Sequence, residues 1–312
     1  MVKIKQQRGI ALITVILIVT LIIIATISMT AHQQLDIRRT VNELNHSQAL
    51  VYLRGAEYLS MSVLYEDFRK NKIDSLDEDW ATVLPPFPVD GGSIGGVLED
   101  LSGKFNINNL VDGKGKRSKI DYERFKRLLT NLKLNIEIAD AVVDWIDKDD
   151  TPLPGGAEEG FYLSKDKQAY RTPNQLIAST TELLRIKGIN FKVYKKLKPY
   201  ITALPERNKI NVNTADKEVL KMIAAQVTDS NAEELIKARD KKGYKNIGAF
   251  IQQQALSGLD KKELVDLDVK SNFFLLSSTA IIGQLEIKME SILKRDDKKG
   301  KVVVIVRSQG GL

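Results

Sequence analysis

The hydrophobic pattern opens with an unbroken apolar run over residues 10–31, which holds no Asp, Glu, Lys or Arg. A helix rising ~1.5 Å per residue crosses roughly 30 Å over such a run, the hydrocarbon thickness of a bilayer. The apolar part of a removable signal peptide is shorter, about 7–15 residues. Lys3, Lys5 and Arg8 precede the run and the first acid after it is Asp36. This asymmetry predicts a cytoplasmic N-terminus, one membrane anchor and an exported remainder.

Beyond Ala31 the pattern stays helical but becomes amphipathic. Leu35, Val41, Leu44, Leu50, Leu53, Leu59, Val63 and Leu64 recur at mixed three- and four-residue spacings without a proline, predicting one helix from about residue 10 into the sixties. The segment LPPFPVDGGSIGG (84–96) concentrates Pro and Gly and predicts a loop. It contains G-x-S-x-G at Gly91, Ser93 and Gly95, a pattern that serves hydrolases only as a strand-to-helix turn with a histidine at hand; here it reads as a flexible glycine loop. Residues 96–110 predict a short hairpin turning at Leu101, Ser102, Gly103 and Lys104. Residues 272–295 and 300–309 predict strands around the charged turn 296–301.

Between these β regions, residues 112–268 read as almost entirely helical. Ser118 and Asp121 form an S-x-x-D start for a helix that places Tyr122, Phe125, Leu128, Leu129 and Leu132 on one face. A second helix covers 136–146. Segments 181–201 and 211–226 have the look of helix-hairpin-helix halves, with a tight turn at Gly188 and Thr214 as a helix N-cap. The basic stretch 113–119 has the wrong Gly and Lys-Ser spacing for a P-loop.

Composition narrows the chemistry. The chain has 312 residues, no cysteine and a formal charge of +7, three units of which sit in Lys3, Lys5 and Arg8. Disulfides and thiolate chemistry are excluded. The two histidines, His32 and His46, both fall on the long N-terminal helix, so the body offers no imidazole for a zinc site or a Ser-His-Asp triad.

The informative cluster is DWIDKDDTPLPGGAEEGF (144–161). Asp140, Asp144 and Asp147 share one helical face, and Asp147, Asp149 and Asp150 crowd the helix C-terminus, where acids oppose the macrodipole and one another. Pro152, Pro154, Gly155 and Gly156 then turn the chain, returning Glu158 and Glu159 toward the aspartates. Lys148 is the one cation within the segment, and a hard cation would relieve the crowding. Numbered from Asp147, the third, fifth, seventh and twelfth positions are Asp149, Thr151, the Leu153 carbonyl and Glu158, the ligand positions of a calcium loop. Pro152 stands where an EF-hand requires Gly, which predicts an independently shaped calcium site drawn from Asp144, Asp147, Asp149, Asp150, Thr151, Glu158 and Glu159. A solvated acidic loop and a paired-carboxylate glycosidase site are the alternatives.

QRGIALITVILIV resembles the N-terminus of type IV pilin-like proteins, and together with DWIDKDDTPLPGGAEEGFY, TPNQLIASTTELLRIKGI and INVNTADKEVL it resembles the K-type minor pseudopilin family (GspK) of type II secretion systems. The resemblance implies an α+β pilin-like fold, in which a long N-terminal transmembrane helix packs on an antiparallel sheet that carries a large inserted all-α subdomain. The boundaries expected are 1–9 for a prepilin-type leader, 10–31 for the transmembrane half of the helix, 32–111 for the first part of the pilin-like domain, 112–268 for the insertion and 269–312 for the last strands. It implies cleavage between Gly9 and Ile10 by prepilin peptidase with N-methylation of Ile10, an inner-membrane anchor with a periplasmic body, and a non-enzymatic role at the pseudopilus tip with I- and J-type partners. It also implies one or two structural Ca2+ ions in the insertion, and no nucleic acid. Most pilin subunits carry Glu at the fifth mature position; here that position is Thr14, which cannot form a charge pair with a neighbour's N-terminus and so suits a tip. The competing class is a membrane-tethered DNA-binding protein, since Lys192, Lys195, Lys196 and Lys198 flank the hairpin, whose turn is Gly188-Ile189-Asn190 without the usual second Gly.

Overall fold

A computed structural model describes residues 8–164, 169–239 and 242–310; Lys3 and Lys5 of the expected leader lie outside them. Helix α1 (Arg8–Lys70) is continuous, as its proline-free pattern predicts. Among the described residues it is the one helix long and apolar enough to cross a membrane, and its apolar N-terminal stretch is wholly unburied within the chain. Its second half buries Ala49, Leu53 and Leu64 against Ala280, Ile287, Met289, Phe274 and Leu293 of a sheet.

That sheet has five antiparallel strands in the order β1 (Leu84–Val89), β2 (Gly92–Asp100), β7 (Phe273–Ile282), β8 (Leu285–Arg295) and β9 (Val302–Ser308). The three C-terminal strands fall where β-branched runs predicted them, with 296–301 as the turn. Glu57 of α1 fixes the helix to the sheet: its buried carboxylate accepts from Ser291 Oγ at 2.6 Å and Arg307 Nε at 2.7 Å.

Residues 84–96 are not a loop. They form the β1–β2 hairpin, closed by Asp90 and Gly91, with Val89 opposite Gly92. Proline is admissible because β1 is an edge strand, where missing N–H groups cost no ladder bond. Gly91 takes the turn at φ +78°, and a Cβ on Gly92 would lie 1.7 Å from the Ile281 carbonyl. Gly91, Ser93 and Gly95 therefore lie in a hairpin and strand, without the strand-to-helix turn a hydrolase needs. Nor does the chain turn back at 101–104. The Asp100 carboxylate accepts the Ser102 N–H at 2.7 Å, starting a 3-10 turn (Leu101–Gly103), and the next residues leave the sheet.

The helical body has its own core, running from Phe105 to Val269. It is built twice from one plan. β3 (Phe105–Asn106) pairs in parallel with β4 (Ile201–Thr202), and β5 (Ile210–Asn211) with β6 (Leu267–Asp268). The strands opening the two units read Lys104-Phe-Asn-Ile-Asn108 and Lys209-Ile-Asn-Val-Asn213. Asn108 clamps the backbone of Ile177, accepting its N–H and donating to its carbonyl, both at 2.9 Å. Asn213 clamps Tyr244 the same way, at 2.7 and 3.1 Å. Each unit also has a turn glycine in left-handed conformation, Gly188 (φ +82°) and Gly258 (φ +80°). In the first unit α2 (Lys119–Asn131) starts at Ser118 and α3 (Ile138–Ile146) follows, then α4 (Glu159–Leu163) and α5 (Phe191–Leu197). The second holds α6 (Lys217–Met222), α7 (Asp229–Arg239) and α8 (Ile247–Ile251).

Three expectations change here. The body is not purely helical, because short parallel strands close each unit. Thr214 is no N-cap: α6 follows Asp216, and the Thr214 hydroxyl donates to Asp100. Nor is 211–226 a helix-hairpin half: it holds one helix, α6, and the left-handed glycines of the second unit, Gly243 and Gly258, lie well past it.

Candidate metal centre

The site grows from the C-terminal end of α3. Asp140, Asp144 and Asp147 are spaced to share a face, and α3 stops at Asp147, whose backbone is extended. The loop that follows folds back over these aspartates through its amides. The Leu153 N–H donates to Asp144 at 3.1 Å, the Ala157 N–H to the same carboxylate, and the Gly155 N–H to Asp140 at 3.0 Å. Asp140 also accepts from the Tyr122 hydroxyl. Gly156 has to be glycine, since a Cβ there would stand 1.8 Å from Asp144 Oδ2.

This stitching buries acids without neutralising them. Asp144 is fully buried, Asp147 is 7% exposed and Glu158 8%. Asp147 Oδ1 and both Glu158 oxygens are buried with no hydrogen-bond partner. A buried polar atom left unpaired costs about 1–3 kcal/mol, more when charged. Burial first, then like charges, raises their pKa values: Asp147 to about 7 beside Asp149, Asp144 and Asp150, and Glu158 to about 8 beside Asp144, Asp147, Asp150 and Asp149. Burial likewise raises Asp144 to about 6, against the pull of the Leu153 and Ala157 amides. Orphaned, hard, anionic oxygens are the donor set that calcium takes, so the residues present fit the ion.

The remaining predicted ligands divide. Asp149 accepts the Thr151 N–H at 2.9 Å, and Asp150 accepts from Asn174 Nδ2 at 3.2 Å. Thr151 is exposed. Glu159 turns to Arg171, at 3.1 Å, which gives it a cation of its own and separates it from the unpaired set. The sequence reading missed Asn174. It sits at φ +44° with its Oδ1 buried and unpartnered, a neutral oxygen held beside Asp150. Its strained backbone within TPNQL is a signal only three dimensions reveal.

A second acidic group has a different solution. Among the described residues, Asp67, Asp74 and Glu78 are the carboxylates whose oxygens all approach within 4.8 Å of one another; those of Asp144, Asp147 and Glu158 stand farther apart. Arg295, itself 4% exposed, already reaches Asp74 at 2.5 Å and Asp67 at 3.2 Å. A guanidinium thus occupies that group, and the orphaned oxygens at Asp147 and Glu158 mark the better candidate for an ion.

The hairpin proposed for DNA is engaged internally. Asn190 caps α5 through Val193 N–H at 3.0 Å, and Lys187 Nζ donates to the Gly155 and Gly156 carbonyls at 3.2 and 2.8 Å.

Comparison with known proteins places this arrangement. Models of the family described as type II secretion system (T2SS), protein K match residues 103–206 and 210–270, which are the two units of the helical body. The type II secretion system protein K of Pseudomonas aeruginosa is 35% identical, over 99% of this chain and 95% of its own. That of Aeromonas hydrophila is 33% identical, over 98% of each. The chain belongs to the type II secretion system protein K family. A solved chain from the GspK-GspI-GspJ complex of enterotoxigenic Escherichia coli superposes with a TM-score of 0.79 at 27% identity, covering 88% of this chain and all of that one. The long apolar helix on an antiparallel sheet is thus the frame of a pseudopilin in type II secretion. Gly9, Ile10 and Thr14 all lie on the exposed first turns of α1, and the Thr14 hydroxyl donates to the Ala11 carbonyl at 2.9 Å.

Proposed function

We propose that this chain is the minor pseudopilin at the tip of the pseudopilus, assembled with I- and J-type minor pseudopilins and carrying no catalysis. The likeness to the GspK chain of the GspK-GspI-GspJ complex, over that chain's full length, carries this reading. Prepilin peptidase cuts between Gly9 and Ile10 and Ile10 is methylated. Residues 10–31 then anchor the chain in the inner membrane with its body in the periplasm.

Thr14 supports the tip position. It satisfies its hydroxyl on its own helix and has no carboxylate to neutralise a subunit above it. Calcium, as one or two ions, is structural. Asp144, Asp147 and Glu158 hold it, with Asp149, Asp150 and Asn174 beside them, and the ion's charge relieves the buried repulsion that the loop creates.

Gold-labelled antibody against the helical body, applied to sheared pseudopili, tests the placement. Label at one end of each filament is expected; label spaced along the shaft contradicts it.

A further inference from the structure

The loop of residues 152–158 is held from two sides. On one side its amides at Leu153, Gly155 and Ala157 point to Asp144 and Asp140. On the other, the carbonyls of Gly155 and Gly156 point to the ammonium of Lys187, at 3.2 and 2.8 Å. Lys187 precedes the left-handed Gly188 of the first hairpin, and the hairpin is itself fixed. The Lys187 N–H donates to the Tyr162 hydroxyl at 3.1 Å, and a Cβ on Gly188 would lie 3.4 Å from Ile138 of α3. The Lys187 ammonium also lies 5.3 Å from the centre of the Phe161 ring, whose π face attracts a cation.

We propose that Lys187 is a positioning residue for the calcium loop: a half-buried cation that holds the Gly155 and Gly156 carbonyls away from the ion and so keeps the Gly156 amide on the Leu153 carbonyl and the Ala157 amide on Asp144. The inference rests on the calcium reading given above. Its physical basis is directional. A peptide unit whose carbonyl is drawn to one side presents its N–H to the other, so fixing the Gly155 and Gly156 carbonyls on Lys187 fixes which way the Gly156 and Ala157 amides face. Asp144, held by the Ala157 amide, is then set in one orientation before an ion arrives. Outer-shell groups that orient ligands in this way change metal affinity by about 10–100-fold when removed. A point charge with rotatable donors suits two carbonyls at slightly different distances, and Lys carries three such donors.

The arrangement also ties the ion to the fold of the first unit. The hairpin turn reaches the loop through Lys187, and the loop reaches α3 through Asp140 and Asp144. A disturbance of the loop is transmitted to the hairpin by a charge-assisted bond rather than by apolar contact alone.

The experiment uses the full chain in detergent, with Lys187→Met, Lys187→Arg and, as a control on the exposed face of α5, Lys192→Met. Amide exchange is followed in chelator, and calcium affinity is measured by calorimetric titration. Lys187→Met is expected to speed exchange across residues 150–160 at least tenfold in chelator, to leave exchange in the β7–β8 ladder unchanged, and to raise the calcium Kd about tenfold. Lys187→Arg recovers most of both effects and Lys192→Met shows neither. Wild-type exchange in the loop of Lys187→Met overturns the proposal, as does a wild-type calcium Kd. A wild-type chain that takes up no calcium refutes the calcium reading instead; exchange in chelator still decides whether Lys187 holds the loop.

Discussion

Arg295 on β8 and Asp74 in the segment after α1 form a buried pair, with Arg295 Nη2 2.5 Å from both Asp74 oxygens. The same guanidinium reaches Asp67 near the end of α1 and the Ser271 carbonyl just before β7. Ser271 in turn donates to Asp100 on β2, and Asn211 of the second helical unit donates to Asp100 at 3.1 Å and to the Asp74 carbonyl. The helical body is thereby joined to the sheet through a buried polar hub with one guanidinium among three carboxylates.

Arg295→Met is expected to destabilise the chain severely, by about 3–5 kcal/mol, because it leaves buried carboxylates without their cation. Burial already holds Asp74 up at about 7 and Asp67 at about 6 despite the guanidinium. Denaturant unfolding of the detergent-solubilised chain measures the loss; a change below 1 kcal/mol would show that the hub is dispensable.

The calcium cluster predicts a pH dependence of definite sign. The folded chain keeps protons on Asp147 and Glu158 up to about pH 7 and 8, whereas their ordinary values are 3.8 and 4.5. Over this window the unfolded state binds fewer protons, so in chelator stability falls as pH rises from about 4 to about 8. Calcium requires the ionised ligands, and its stabilisation should therefore be larger at pH 8 than at pH 5. Glu158→Gln is expected to raise the melting temperature in chelator at pH 8 and to abolish most of the calcium-dependent gain. Melting curves at the two pH values, with and without calcium, check both statements.

Gly156→Ala should act through space alone. Its methyl would meet Asp144 Oδ2 at 1.8 Å, whereas a methyl at Gly160, four residues on, meets nothing within 4 Å. Overpacking costs about 1–3 kcal/mol, so Gly156→Ala is expected to lose that much stability and at least tenfold in calcium affinity, while Gly160→Ala retains calcium affinity. Calorimetric titration of the two variants compares them.

Much of the fold is legible in the chain because its signals are local. The anchor run, the amphipathic continuation of α1, the Ser118 start of α2 and the β-branched C-terminal strands each report on their own neighbours. What was not legible depends on distant partners. The prolines of β1 read as a loop until β2 shows that β1 is an edge, and Thr214 reads as a cap until Asp100 arrives from 114 residues away. The repeat of Lys-Φ-Asn-Φ-Asn at 104 and 209, where Φ is apolar, was visible in the sequence and would have announced the doubled body. At the site, acid spacing picked out the carboxylates that the fold buries at the end of α3. It could not distinguish Glu159, which has Arg171, from Glu158, which has no partner, nor bring in Asn174 from across the loop.

The most direct test of the assembly claim is to combine the processed chain with I- and J-type minor pseudopilins and measure the mass of what forms by light scattering after gel filtration. A single species with the mass of one copy of each is predicted. Three separate species at concentrations well above micromolar would contradict the account.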